Sequence, residues 1–160
     1  MLLTAAHDKI PPMKKLAILL LVLPVFASDP AGFKMWTAAE LKAKAAAVKL
    51  DDHKAGVDRM ADWGNHKLWV IRRDGDGEAE IHETQVDIMT VIAGEATLII
   101  GGKMVSPRTT APGEVRGPSI EGGEKVKMAV GDVFHIPAKI PHQMLVPKTL
   151  TFQVVKVETK

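Results

Sequence analysis

The stretch Gly131-Asp132-Val133-Phe134-His135-Ile136-Pro137-Ala138-Lys139-Ile140-Pro141-His142 constrains this chain more than any other. It reads as a Gly-Asp turn, a short apolar strand, a second turn fenced by two prolines, and a histidine where the next strand begins. Each proline fixes its own φ at about −65° and steers the residue before it away from the helical region. The segment therefore cannot be helical, and it delivers His142 to a defined place. A histidine so placed is a candidate metal ligand or general base; the competing reading is a turn-capping or core histidine.

The chain around it repeats the same grammar of short strands and Gly/Pro turns. Lys67 to Arg73 alternates around Leu68 and Val70, and Asp74-Gly75-Asp76-Gly77 is a strong turn signal. Glu78 to Glu83 follows as a strand with polar residues on one face. Ile88 to Ala93 reads as a strand, Gly94-Glu95 as a tight turn and Ala96 to Ile100 as its hairpin partner. Ser106 to Gly123, rich in proline and glycine, reads as a long loop with at most a short edge strand. Lys125 to Val130, Val133 to Ile136, Gln143 to Val146 and Leu150 to Val157 complete the strands. This pattern predicts an all-β sandwich or barrel. Ahead of it, Thr37-Ala38-Ala39-Glu40 is a capping box that opens a helix running to about Leu50. Residues 51–65 are expected to hold turns and one further helical turn. Trp36, Trp63 and Trp69 are expected to pack that helix on the outer sheet.

The front of the chain is expected to lie outside the fold. Met13-Lys14-Lys15, the apolar run Leu16 to Phe26 and the small residues before Ser28 form a secretory signal peptide, 13–27, with 1–12 an upstream extension. The run is shorter than the roughly 20 apolar residues a membrane span needs. The mature protein is then periplasmic or secreted from a bacterial cell, with no membrane anchor after cleavage. It divides into a helical extension, 28–66, and a barrel, 67–160. The formal charge of +2 disappears with residues 1–27, which carry Lys9, Lys14, Lys15 and Asp8. A neutral mature chain without a basic stripe excludes a nucleic-acid partner. The 160 residues contain no cysteine, which excludes disulfides, thiol nucleophiles and zinc–cysteine sites.

Two spacings in the barrel region resemble the motifs of the cupin family. The family's second motif, Gly-x5-Pro-x-Gly-x2-His-x3-Asn, is met by Gly131, Pro137 and His142, with Lys139 in place of the glycine and Val146 in place of the asparagine. Its first motif, Gly-x5-His-x-His-x3–4-Glu-x6-Gly, is met by His82 and Gly94. There Glu80 stands at the first histidine, Asp87 at the glutamate and Asp74 at the opening glycine. The resemblance spans about Lys67 to Val157. It implies a double-stranded β-helix, or jelly-roll barrel, and a divalent metal (Fe, Mn, Ni or Zn) held by His82, His142, Glu80 and Asp87. It also implies a small-molecule ligand in the barrel and a homodimer.

The residues themselves support part of this. Glu80 and His82 are two apart on a strand and share a face. Asp87 has the opposite parity, which a turn or bulge between Thr84 and Asp87 restores. Two histidines with a carboxylate suit non-haem iron and equally manganese, nickel or zinc. Against this, His82 reads as a surface histidine beside Glu83 and Thr84, Glu80 as a solvated carboxylate and Asp87 as a turn brace. His135 is expected to be a structural or pocket residue, and Gln143 to face away from the site. Two function classes stay open. One is a metal-dependent enzyme performing dioxygenation, isomerisation or decarboxylation. The other is a binding or structural barrel with a degenerate site, for which the departures at Glu80, Lys139 and Val146 speak.

Overall fold

The alternation of apolar and polar residues builds two antiparallel sheets facing each other, seen in a computed structural model that describes residues 30–159. The expected signal peptide and upstream extension lie outside the described residues. The helix α1 spans Ala38–Ala47. Thr37 closes its first turn, with the Glu40 amide donating to Thr37 Oγ1 at 3.2 Å and the Thr37 amide to Glu40 Oε2 at 2.7 Å. Then come β1 (Ala55–Asp62), β2 (His66–Arg73), β3 (Ala79–His82), β4 (Gln85–Gly94) and β5 (Ala96–Ile100). The short strands β6 (Lys103–Met104), β7 (Arg108–Ala111), β8 (Glu114–Gly117) and β9 (Ile120–Glu121) follow. The chain ends in β10 (Glu124–Met128), β11 (Val133–Ile136), β12 (His142–Leu145) and β13 (Leu150–Glu158).

One sheet has the order β1-β2-β13-β4-β11 and the other β10-β5-β12-β3-β8-β7, with β6 and β9 pairing separately. The core lies between the sheets. Met89, Phe152 and Val154 from the first meet Leu98, Met128 and Met144 from the second. A second cluster, Ala79, Ile99, Met104 and Ile120, packs β6 and β9 against the back of the six-stranded sheet.

Three expectations change. Residues 51–65 contain a strand, β1, at the end of the five-stranded sheet, rather than a helical turn. β4 and β5 are not hairpin partners. β4 pairs with β13 and β11 while β5 pairs with β10 and β12, so the Gly94-Glu95 corner moves the chain from one sheet to the other. Gly94 has φ +81°, and a Cβ there would collide with the Thr149 carbonyl oxygen. The glycine is thus needed both for its angle and for close approach. Finally, the expected loop 106–123 holds the hairpin β7–β8, and β8 sits inside the sheet next to β3.

The turn before His142 puts Lys139 in the left-handed region that favours glycine. Lys139 has φ +66°, and its amide donates to the His82 carbonyl at 2.8 Å, which ties the turn to β3. Its side chain is exposed. The left-handed conformation costs a residue with a Cβ about 1–2 kcal/mol, offset in part by the greater flexibility of an unfolded glycine. Lys139→Gly is therefore expected to stabilise the protein by about 0.5–1 kcal/mol, read as a higher urea midpoint with an unchanged slope.

Candidate metal centre

Cross-strand register assembles the site. On β3, Glu80 lies opposite Arg116 of β8 and His142 of β12, while His82 lies opposite Glu114 of β8. In the facing sheet, Asp87 of β4 lies opposite Lys156 of β13. Alternation turns Glu80 and His82 inward together. The bend at residues 83–84 carries the chain into the other sheet, so Asp87 approaches from across the barrel. The parity mismatch in the sequence is resolved by this change of sheet.

The two histidines are buried, His82 at 3% and His142 at 2% exposure, so His82 is not a surface residue. Their rings stand 5.3 Å apart. Each has its Nδ1 tied off. His82 Nδ1 donates to both Glu114 oxygens at 2.9 Å, and His142 Nδ1 donates to the Ile140 carbonyl at 3.1 Å. Both Nε2 atoms consequently face the site. This is the arrangement that orients ligating histidines, with one ring nitrogen held by an outer partner and the other left for the ion. The ligand atoms of Glu80, His82 and His142 lie within 4.8 Å of one another. Glu80 Oε2 is 3.5 Å from His82 Nε2 and 3.9 Å from His142 Nε2. An ion bonded at about 2.0–2.2 Å needs ligand atoms about 3.0–3.4 Å apart. Contractions of well under 1 Å would bring those two separations into that range, and the donor types suit a divalent metal.

Four further residues, none singled out in the sequence, complete the cluster. Lys156 Nζ donates to both Asp87 oxygens, at 2.7 and 3.0 Å, and stands 3.1 Å from His82 Nε2. Arg116 pairs with Glu80 and, at 3.3 Å, with Glu114. Arg73 reaches Glu80 at 3.4 Å. Asp87 also lies 3.4 Å from His82 Nε2, so it belongs to the cluster but is engaged by Lys156.

The charges shape the ionisation of each group. Burial alone would raise the Glu80 pKa, but the His82 hydrogen bond, Arg116, His142 and Arg73 hold it well below the usual carboxylate range. Asp87 and Glu114 are lowered for the same kind of reason, each against its burial, by His82 and Lys156, with Arg116 adding to the effect on Glu114. Burial lowers the His142 pKa, with Glu80 and the hydrogen bond to Ile140 acting against it. Burial also opposes a charge on His82, yet Asp87, Glu114 and Glu80 override it and push the pKa up to about 10, with Lys156 acting against them. A hydrogen bond from Lys156 needs a neutral His82 Nε2, whereas the carboxylates favour a proton there. A proton and the Lys156 ammonium thus compete for one place, and a metal would claim the same place.

Beside the cluster opens a cavity of about 570 Å³. Trp69, Ile71, Met144, Phe152 and Val154 form an apolar wall, and Glu80, His82, Asp87, Glu114, Arg116 and Lys156 form the polar end. Trp69 therefore lines the barrel interior rather than packing the helix. It lies under the Arg59 guanidinium at 5.2 Å and the Lys156 ammonium at 5.6 Å. Trp36 and Trp63 meet edge to face at 6.5 Å. His135 is exposed beside Val133 on the outer face of β11, so it is not a pocket residue. Gln143 points away from the site as expected, and its Nε2 donates to the Gly77 and Pro118 carbonyls at 2.9 and 3.2 Å.

Solved structures of the same architecture decide the fold. A cupin domain from Schizosaccharomyces pombe superposes with a TM-score of 0.51 at 8% identity, covering 71% of this chain and 66% of that one. An uncharacterized Klebsiella pneumoniae protein with a double-stranded beta-helix domain gives 0.52 at 16%, covering 80% and 92%. The chain has the cupin fold. Hydroquinone 1,2-dioxygenase from Sphingomonas superposes on this chain with a TM-score of 0.55 at 9% identity, covering 75% and 73%. No protein-family model and no curated protein matches the sequence.

Proposed function

We propose that this cupin is an exported barrel that binds a divalent metal, Fe, Mn, Ni or Zn, through Glu80, His82 and His142, beside a cavity for a small oxygenated molecule. The observation that carries the reading is the pair of buried histidines, each with Nδ1 held by an outer acceptor and Nε2 facing Glu80. A metal bound there supplies Lewis acidity toward an oxygen of the ligand. The chain's own residues do the rest. The apolar wall around Trp69 and Phe152 excludes water, while Arg116 and Lys156 favour a ligand that carries negative charge or oxygen acceptors at its polar end. The dioxygenase neighbour is consistent with chemistry on an oxygenated ring, though the fold alone hosts many reactions.

A second reading is a barrel that binds such a molecule without turnover. Lys156 favours it, because a cation already stands at His82. In that reading Lys156, not a metal, is the cation of the site. The test is metal content after dialysis against each ion, with His82→Ala and His142→Ala alongside. Stoichiometric metal in the wild type and its loss in both variants is the expected result. A folded wild type that takes up none of the four ions overturns the metal reading.

A further inference from the structure

Lys156 is out of place by every rule of strand burial. Phe152, Val154 and Lys156 lie two apart on β13, and the first two are core residues. The third is a lysine with 6% exposure. A lysine is almost never buried unless paired, and its pairing here is specific. Its ammonium binds both oxygens of Asp87 and stands 3.1 Å from His82 Nε2. These are the atoms by which His82 and Asp87 would ligate an ion. We propose that Lys156 is a built-in competitor for the metal. Its ammonium fills the cation position of the site, and an ion enters only as Lys156 withdraws. The inference rests on the metal-binding reading above and adds what controls it.

The charge balance supports this. Glu80 is paired with Arg73 and Arg116, Glu114 with Arg116 and His82, and Asp87 with Lys156. Three carboxylates thus face three fixed cations before any proton on His82 is counted, and the cluster needs no added ion for charge balance. Among the described residues no buried side-chain nitrogen or oxygen lacks a hydrogen-bond partner. A divalent ion added to this network would meet an ammonium at hydrogen-bonding distance from one of its own ligands. Removing that ammonium relieves the repulsion and frees Asp87 as a further oxygen donor. The lysine has somewhere to go, since its flexible four-carbon stem already places Nζ 5.6 Å over the Trp69 ring, on the cavity side. The same geometry accounts for Asp87, which stands at a family ligand position yet is held by Lys156.

The experiment is a calorimetric titration of metal-stripped protein with zinc chloride, comparing wild type with Lys156→Gln, Lys156→Met and Lys156→Arg, each checked for fold by circular dichroism. Gln keeps a hydrogen bond for Asp87 without the charge, so it serves should Met fail to fold. The expected result is zinc binding at least about tenfold tighter in the neutral variants. Arg, which keeps the charge, stays as weak as the wild type. Adding His142→Ala to Lys156→Gln abolishes the gain, which locates the ion in this site. Equal affinity in wild type and Lys156→Gln overturns the competitor role while the metal reading stands. No binding in wild type or in any Lys156 variant overturns both.

Discussion

Asp87→Ala is expected to lower the stability of the metal-free protein by about 3–5 kcal/mol, among the largest effects of any single substitution in the barrel. The reason is the company it would leave behind. Asp87 is 5% exposed and Lys156 6%, so the pair is sealed between β4 and β13. Deleting the carboxylate strands an ammonium in the barrel beside His82, with Met89 and Trp69 among its surroundings. Breaking a buried pair from one side is far more damaging than replacing it whole, because the attraction disappears while the desolvation remains. The double variant Asp87→Leu/Lys156→Met is therefore expected to recover most of the loss and to approach the wild type. Urea unfolding in the presence of a chelator measures both. A loss under about 1 kcal/mol in Asp87→Ala, the range of an exposed pair, would mean that water reaches the pair and that the sealed ion pair is not the state in solution.

The same pair shows where the sequence stops being legible. The strand Val133–Ile136, the delivery of His142 and the shared face of Glu80 and His82 follow from local rules. Turn chemistry and the two-residue period survive folding unchanged. Lys156 obeys that period too. It falls on the face shared by Phe152 and Val154, but a lysine there is expected at the solvent, and only the register of β13 against β4 shows the aspartate that receives it. Glu114 and Arg116 were hidden for another reason. Their segment is so rich in glycine and proline that a loop was the natural reading, yet the turn residues punctuate the hairpin β7–β8, which delivers both side chains to the site. The sheet change at Gly94 was hidden in a similar way. A Gly-Glu corner between two apolar runs looks like a hairpin, and only the long-range pairing of β4 with β13 and of β5 with β12 distinguishes a corner from a turn.

The stability of the metal-free protein is expected to fall as pH rises from about 7 toward 10, in contrast to the plateau usual for a small domain. The cause is His82. Its folded pKa is raised from 6.5 to about 10, so the folded state holds a proton that the unfolded chain releases. Stability from that proton is complete below the unfolded value and is lost progressively up to the folded one. The change is on the order of a few kcal/mol, limited by the opposing ammonium of Lys156. On the acid side the sign reverses. Glu80, Asp87 and Glu114 are all held low in the folded state, so their contribution is present above about pH 4 and lost as pH falls through their folded values. His142, lowered by burial, subtracts stability below its unfolded value of 6.5 and so deepens the acid limb. Chelated protein unfolded in urea at a series of pH values gives the profile, and His82→Gln is expected to flatten its alkaline limb while leaving most of the acid limb in place. A wild-type profile level from pH 7 to 9.5 would show that Lys156, rather than a proton, holds the His82 Nε2. A bound metal, which needs the same nitrogen deprotonated, is expected to raise stability most on the alkaline side, where no proton has to be expelled to admit it.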